Sequence, residues 1–101
     1  VLAAEVQGNV VGMGSCQLVV STAVGALSGL VEDLVVTREF RGLGIGTALL
    51  QGLARWAGEK GALRMQLLAD KGNTSALEFY SRTGWNHTRM ICLRRHMAGA
   101  A

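Results

Sequence analysis

Proline is absent from the sequence, aromatic residues make up 5% of it, and charged residues only 17%. Without proline there is no proline-rich linker. The aromatics are too few, and mostly at helical spacing, to interleave with basic residues on a nucleic-acid-binding sheet. Scarce charge combined with a 50% apolar content excludes a disordered chain. Cysteine is also scarce. Cys16 and Cys92 stand alone with no metal-ligand spacing, which reads as small buried thiols of a reducing, cytoplasmic compartment, with a disulfide as the alternative. No signal-peptide pattern is visible, although the chain opens on Val1 and not on methionine. A length of 101 residues corresponds to one domain, residues 1–101. The net charge of +3 is mild. It suits an anionic ligand and is too weak to argue for nucleic acid.

Charge is missing altogether from Val6 to Val31, a stretch long enough to span a bilayer. Yet it carries Gln7, Asn9, Gln17, Ser21 and Thr22, and it breaks at Gly8-Asn9 and Ser21-Thr22. It reads as strands and a loop, so no membrane partner is expected.

The pattern predicts strands over 2–7 and 10–20 around a Gly8-Asn9 turn, a loop over 21–29 and a strand over 30–36. A helix follows from Ile45, with Ile45, Leu49, Leu53 and Trp56 on one face; Lys60-Gly61 stops it. Residues 62–69 alternate as a strand. Residues 73–83 form a second helix, capped by Asn73 or Thr74 or by a Ser75/Glu78 capping box, and ended by Gly84. Residues 85–95 read as a last strand. The order β-β-β-α-β-α-β is that of a mixed α/β fold with one parallel strand pair. Trp56, Phe79 and Trp85 are read as core; His87, His96, Arg89, Arg94 and Arg95 as surface.

What the sequence does have is glycine, and three of its glycines sit at alternate positions in Arg38-Glu39-Phe40-Arg41-Gly42-Leu43-Gly44-Ile45-Gly46. The stretch fails as a Walker loop, having no lysine before Thr47, and it is a poor dinucleotide fingerprint because the third glycine comes one residue early. Glycines between a strand and a helix still let backbone N–H groups approach a phosphate, the helix N-terminus adds partial positive charge, and Arg41 adds a full one. The competing reading is a tight turn with no ligand.

Arg41-Gly42-Leu43-Gly44-Ile45-Gly46 resembles the R-G-x-G-x-G/A motif of the GNAT superfamily of acetyl-CoA-dependent N-acetyltransferases. The preceding strand end Glu32-Asp33-Leu34-Val35-Val36, the helix pattern Asn73-x-x-Ala76-x-x-Phe79-Tyr80 and the following Gly84-Trp85 match as well. Within the superfamily the acidic pair is similar to that of the polyamine and small-amine branch. The resemblance implies a mixed sheet with helices on both faces and a central parallel pair that splays apart. Acetyl-CoA would be the co-substrate, with no metal, and an amine of a small molecule or peptide the acceptor. It further implies that Leu34, Val35 and Val36 pair with pantetheine and that Arg41, Gly42, Leu43, Gly44, Ile45, Gly46 and Thr47 hold the pyrophosphate. Asn73, Ala76 and Tyr80 would line the cofactor arm. Glu32 or Asp33 would be the general base and Tyr80 the general acid. Read from the residues alone, Glu32 is equally a solvated carboxylate, Tyr80 a core tyrosine with a satisfied hydroxyl, and Asn73 a helix cap.

Members of that superfamily begin with a strand and two helices that this sequence does not contain. The resemblance therefore implies a longer native polypeptide or a second chain, such as a homodimer partner, that supplies them. The alternative is a non-catalytic acyl-CoA-binding module.

Overall fold

The computed structural model describes residues 1–21 and 25–99. They form two compact units, one up to Leu68 and the other from Ala69 onward.

The first unit is a four-stranded sheet in the order β1-β2-β3-β4, with β1 Leu2–Val6, β2 Asn9–Ser21, β3 Ala26–Val36 and β4 Ala62–Leu67. The β1–β2 and β2–β3 pairs are antiparallel and β3–β4 is parallel, as the intervening helix α1 (Ile45–Glu59) requires. The first turn lies one residue earlier than its glycine suggests. Gln7 and Gly8 both have positive φ, 51° and 82°, and Val6 pairs with Asn9. Two successive left-handed residues match the right-handed twist of a hairpin.

The predicted loop over 21–29 is largely strand. Ser21 ends β2 and Ala26 starts β3, while residues 22–24 lie outside the described residues. The small residues that suggested a loop are small because they are crowded. Ser28 and Gly29 are buried, and a Cβ on Gly29 would come within 3.0 Å of Cys16 Sγ and 3.4 Å of Ala57 Cβ. Gly12 and Gly14 of β2 serve the same close approach. A Cβ at Gly14 would meet Leu34 Cδ1 at 3.0 Å and Leu53 Cδ1 at 3.1 Å. Gly52, a local cost to α1 by propensity, stands where Leu2 of β1 crosses: a Cβ there would lie 2.6 Å from Leu2 Cδ1.

Helix α1 thus packs closely on the sheet, touching all four strands. Its buried residues are Leu49, Leu50, Leu53 and Ala57, which with Val11 and Val31 make the core of this unit. Trp56 is 38% exposed and is not part of the core, contrary to its helical spacing. The buried stripe runs through Ala57 instead, because the sheet approaches too closely for an indole. The helix ends as its sequence predicts, at Lys60, with Gly61 left-handed at φ 96°.

The second unit holds helix α2, Thr74–Arg82. Asn73 is its N-cap, accepting from Ala76 N–H at 3.2 Å, so neither Thr74 nor a capping box is used. Its end is a Schellman turn. Trp85 N–H donates to Tyr80 O, Gly84 N–H to Ser81 O, and Gly84 is left-handed at φ 94°. Residues 85–95, expected as a last strand, form none. Alternation and β-branching fit a pleated surface, but a strand exists only where a ladder partner exists, and this segment has none among the described residues. Most of its apolar residues stay in solvent: Met90, Ile91 and Leu93 are all more than two-thirds exposed, as is Met97 beyond it. The arginines and histidines of the segment are exposed, as expected, and so is Cys92, which was read as buried. Among the described residues no helix is long and apolar enough to cross a membrane.

Candidate functional site

The site is best followed along β3. Gly29 faces Ala57 of α1, and alternation puts Val31 on that face and Glu32 on the other, exposed. Val31 pairs with Leu67 of β4, and this is the last rung of the parallel ladder. β3 nevertheless continues through Val36. From Glu32 to Val36 it is paired on one side only, with β2, and the edge that faced β4 is free of any strand among the described residues. The central parallel pair therefore parts after Val31 and Leu67, a parting of the kind the family resemblance implies.

Within the free stretch the strand also bulges. Between Ser15/Glu32 and Met13/Val35 β3 has one residue more than β2, and Asp33 takes up the excess with φ 53°. Aspartate tolerates this left-handed conformation better than a β-branched neighbour would, and a bulge resets which side chains face which side. Leu34 is turned toward the α1 face, its Cδ1 beside Gly14 as is that of Leu53, while Val35 is half exposed. Ser15 Oγ donates to the carbonyl of Glu32 at 3.0 Å, tying the bulge to β2.

The strand runs into a short 3₁₀ turn, Arg38–Phe40, and then the glycine stretch. Gly42 and Gly44 are left-handed at φ 78° and 85°, and a Cβ on either would touch nothing within 4 Å. Backbone conformation, not packing, demands glycine there, and the space beside both is open. Gly44 is the N-cap of α1 and provides no side-chain cap. The first intrahelical bond is donated by Ala48 to Gly44 O at 3.0 Å. The N–H groups of Ile45, Gly46 and Thr47 precede it and have no intrahelical acceptor. Arg41 is anchored beside them, its Nε donating to Val36 O at 2.9 Å.

In the first unit, then, Glu32, Leu34, Val35, Val36 and the residues from Arg41 to Thr47 form one continuous path from the bulge to the helix N-terminus. Asn73, Ala76 and Tyr80 belong to α2 of the second unit, where Asn73 and Tyr80 are seven positions apart and share a helical face. Tyr80 is half-buried, its ring edge-on to Phe79 at 5.3 Å and to Trp85 at 6.0 Å. Burial raises its pKa above the ordinary tyrosine value. Its hydroxyl has no hydrogen-bond partner among the described residues, unlike the satisfied core tyrosine it was weighed against. Phe79 and Trp85, read as core, are only half-buried. Among the described residues no three metal-ligating side chains cluster.

The sequence matches the acetyltransferase (GNAT) family over residues 1–85. The chain belongs to that family. An uncharacterised N-acetyltransferase of Bacillus subtilis, YobR, is 37% identical over 70 residues, which is 64% of this chain and 28% of that protein. An uncharacterised N-acetyltransferase of Methanocaldococcus jannaschii, MJ1207, is 31% identical over 88 residues, 86% of this chain and 39% of that protein. Among solved structures, an integron cassette protein from the mobile metagenome of V. cholerae superposes with a TM-score of 0.87 at 26% identity. That match covers 96% of this chain and 60% of the other. This GNAT chain thus spans well under half the length of those two curated relatives.

Three features of this path were not legible beforehand: the rung at which the parallel pair parts, the bulge at Asp33, and the bond from Arg41 to Val36. None had a signal in the sequence, where residues 62–69 read as a strand no shorter than residues 30–36.

Proposed function

We propose that this chain carries the acetyl-CoA site of an N-acetyltransferase that moves the acetyl group directly onto a primary amine. The observation that carries the reading is the free edge of β3 from Glu32 to Val36, leading into an uncapped helix N-terminus. An extended chain bearing amides, such as pantetheine, is chemically suited to add to an open strand edge. A pyrophosphate is suited to the free N–H groups of residues 45–47, the open loop at Gly42 and Gly44, and the charge of Arg41. The residues present fit this co-substrate.

The proposed chemistry uses this path for the base and the oxyanion, and assigns the acid from the family pattern. The amine nitrogen attacks the thioester carbonyl carbon, the carbon–sulfur bond breaks, and the acetamide and a thiolate result. The acceptor must first lose a proton from its ammonium form, and Glu32, exposed beside the bulge, is the proposed base, with Asp33 the rival. Backbone N–H groups on the free edge are the proposed donors to the oxyanion. Tyr80 is the proposed acid for the departing thiolate. A phenol whose pKa is raised by burial stays protonated at neutral pH and has a proton to give.

The test is ligand-linked stability of the full native polypeptide. Acetyl-CoA at about 100 times its Kd adds about 2.7 kcal/mol of stability and raises Tm, while acetate alone does not. No shift with acetyl-CoA at saturating concentration overturns the reading.

A further inference from the structure

Between the Ser15/Glu32 and Met13/Val35 rungs β3 carries one residue more than β2, and the excess sits at the start of the free edge. Its position decides which backbone groups that edge presents. In an antiparallel pair, alternate residues turn their N–H and C=O toward the partner strand and the others turn away. One extra residue moves this alternation by one. With the bulge, a different set among Leu34, Val35 and Val36 faces outward than without it. Downstream the strand is pinned, because Gly12 pairs with Val36 and Thr37 N–H donates to Val11 O at 2.7 Å. The strain lies at the bulge itself. Asp33 has φ 53°, a conformation an L-residue keeps only where its surroundings hold it there. Gly14, across from it, offers no side chain, and a Cβ there would come within 3.0 Å of Leu34 Cδ1. Ser15 does offer one. It lies opposite Glu32 in the register, half-buried and on the same face, and its Oγ donates to Glu32 O at 3.0 Å. That carbonyl belongs to the peptide joining Glu32 to Asp33. The peptide is planar, so the bond orients the whole unit, Asp33 N–H included.

We propose that Ser15 is a positioning residue for acetyl transfer. By holding the Glu32-Asp33 peptide it keeps the bulge in phase, and so aims the outward N–H groups of the free edge at the carbonyl oxygen that gains charge in the reaction. The inference rests on the acetyltransferase reading above and adds to it a residue of the neighbouring strand. Donors to an oxyanion are effective because they are already oriented when the charge develops. Without the Ser15 hydroxyl the Glu32-Asp33 peptide is free to swivel, Asp33 is free to leave the left-handed region, and the donors lose their fixed direction. The pyrophosphate contacts proposed at residues 42–47 lie beyond the pinned end of β3 and do not depend on that peptide. The loss therefore falls on kcat and not on coenzyme affinity.

The experiment is steady-state kinetics of amine-dependent thiol release by the full native polypeptide, as wild type, Ser15→Ala, Ser15→Thr and Ser15→Val. Coenzyme A affinity by calorimetry and Tm accompany each. Threonine and valine share a shape that suits a strand and differ in the hydroxyl. The bond from Ser15 is solvent-exposed, so its loss should leave the fold intact. Ser15→Ala and Ser15→Val should lower kcat about tenfold, the scale of one hydrogen bond. Their KM for acetyl-CoA, their coenzyme A affinity and the pH midpoint of kcat should stay unchanged. Ser15→Thr should keep the wild-type kcat. Wild-type kcat in Ser15→Val, or a threonine variant as slow as the valine one, overturns the role of the hydroxyl and leaves the acetyltransferase reading standing. So does loss of folding, or a fall in coenzyme affinity and Tm that matches the fall in kcat, since Ser15 would then be structural only. A moved pH midpoint also overturns it, because the hydroxyl would then act on the base and not on the peptide. A wild type that releases no thiol with any amine overturns both.

Discussion

The Nε of Arg41 donates to the carbonyl of Val36 at 2.9 Å, closing the end of β3 onto the glycine loop that follows it. Arg41 thereby has two roles, one mechanical and one electrostatic. Arg41→Ala should weaken coenzyme A binding by about 1–3 kcal/mol, the range for a charged hydrogen bond. Arg41→Lys keeps the charge but has no planar fork with which to hold Val36 while facing a phosphate, so it should recover only part of the loss. Calorimetry of the two variants separates the roles. Full recovery by lysine would show that charge alone matters, and unchanged affinity in the alanine variant would remove Arg41 from the site.

Glycine at 42 and 44 is required by backbone angle alone. Gly44→Ala should cost about 1–2 kcal/mol, the penalty for a left-handed L-residue, although its methyl group meets no atom. Gly58 makes the matched comparison. It lies inside α1, an added Cβ also meets nothing, and its φ is not positive, so Gly58→Ala should stabilise by about 0.5–1 kcal/mol. Urea denaturation of both variants checks the signs. Equal effects would mean the loop is not held in the left-handed form.

Tyr80 is the only tyrosine in the sequence and its pKa is raised by burial. As pH rises through the ordinary tyrosine value of about 10, the unfolded chain loses this proton while the folded one keeps it. The unfolded state is then favoured, so the contribution is present below that pH and lost above it. Unfolding free energy should fall more steeply with alkaline pH in the wild type than in Tyr80→Phe. Parallel curves would show that the hydroxyl is freely solvated.

How much of this was legible in the sequence differs from element to element. Helix α1, its stop at Lys60-Gly61, the parallel strand pair and the end of α2 at Gly84 are set by local patterns and appear where those patterns put them. Ala26, Ser28 and Gly29 misled because small residues mark both loops and crowded contacts, and only the approach of Ala57 distinguishes the two. Trp56 misled because helical periodicity gives a face but not the distance to the sheet. Residues 85–95 have the composition of a strand, and composition does not supply a ladder partner. In the site, the glycine stretch with Arg41 was readable because its chemistry is local. The position of the bulge at Asp33 was not, because it depends on the register between β2 and β3.

The central claim is direct transfer of acetyl from acetyl-CoA to an amine, and its most direct measurement is amine-dependent release of the coenzyme A thiol by the full native polypeptide. The assay runs over polyamines, aminoglycosides, amino acids and peptide N-termini, with the acetylated product identified by mass. The account predicts release with at least one amine class. It also predicts a kcat about 10²–10⁴ lower in Tyr80→Phe, the scale of one acid–base group, at unchanged coenzyme A affinity. Tight acetyl-CoA binding with no thiol release for any amine would contradict it and leave a binding module. Turnover in Tyr80→Phe equal to wild type across the pH range would contradict the assignment of the acid.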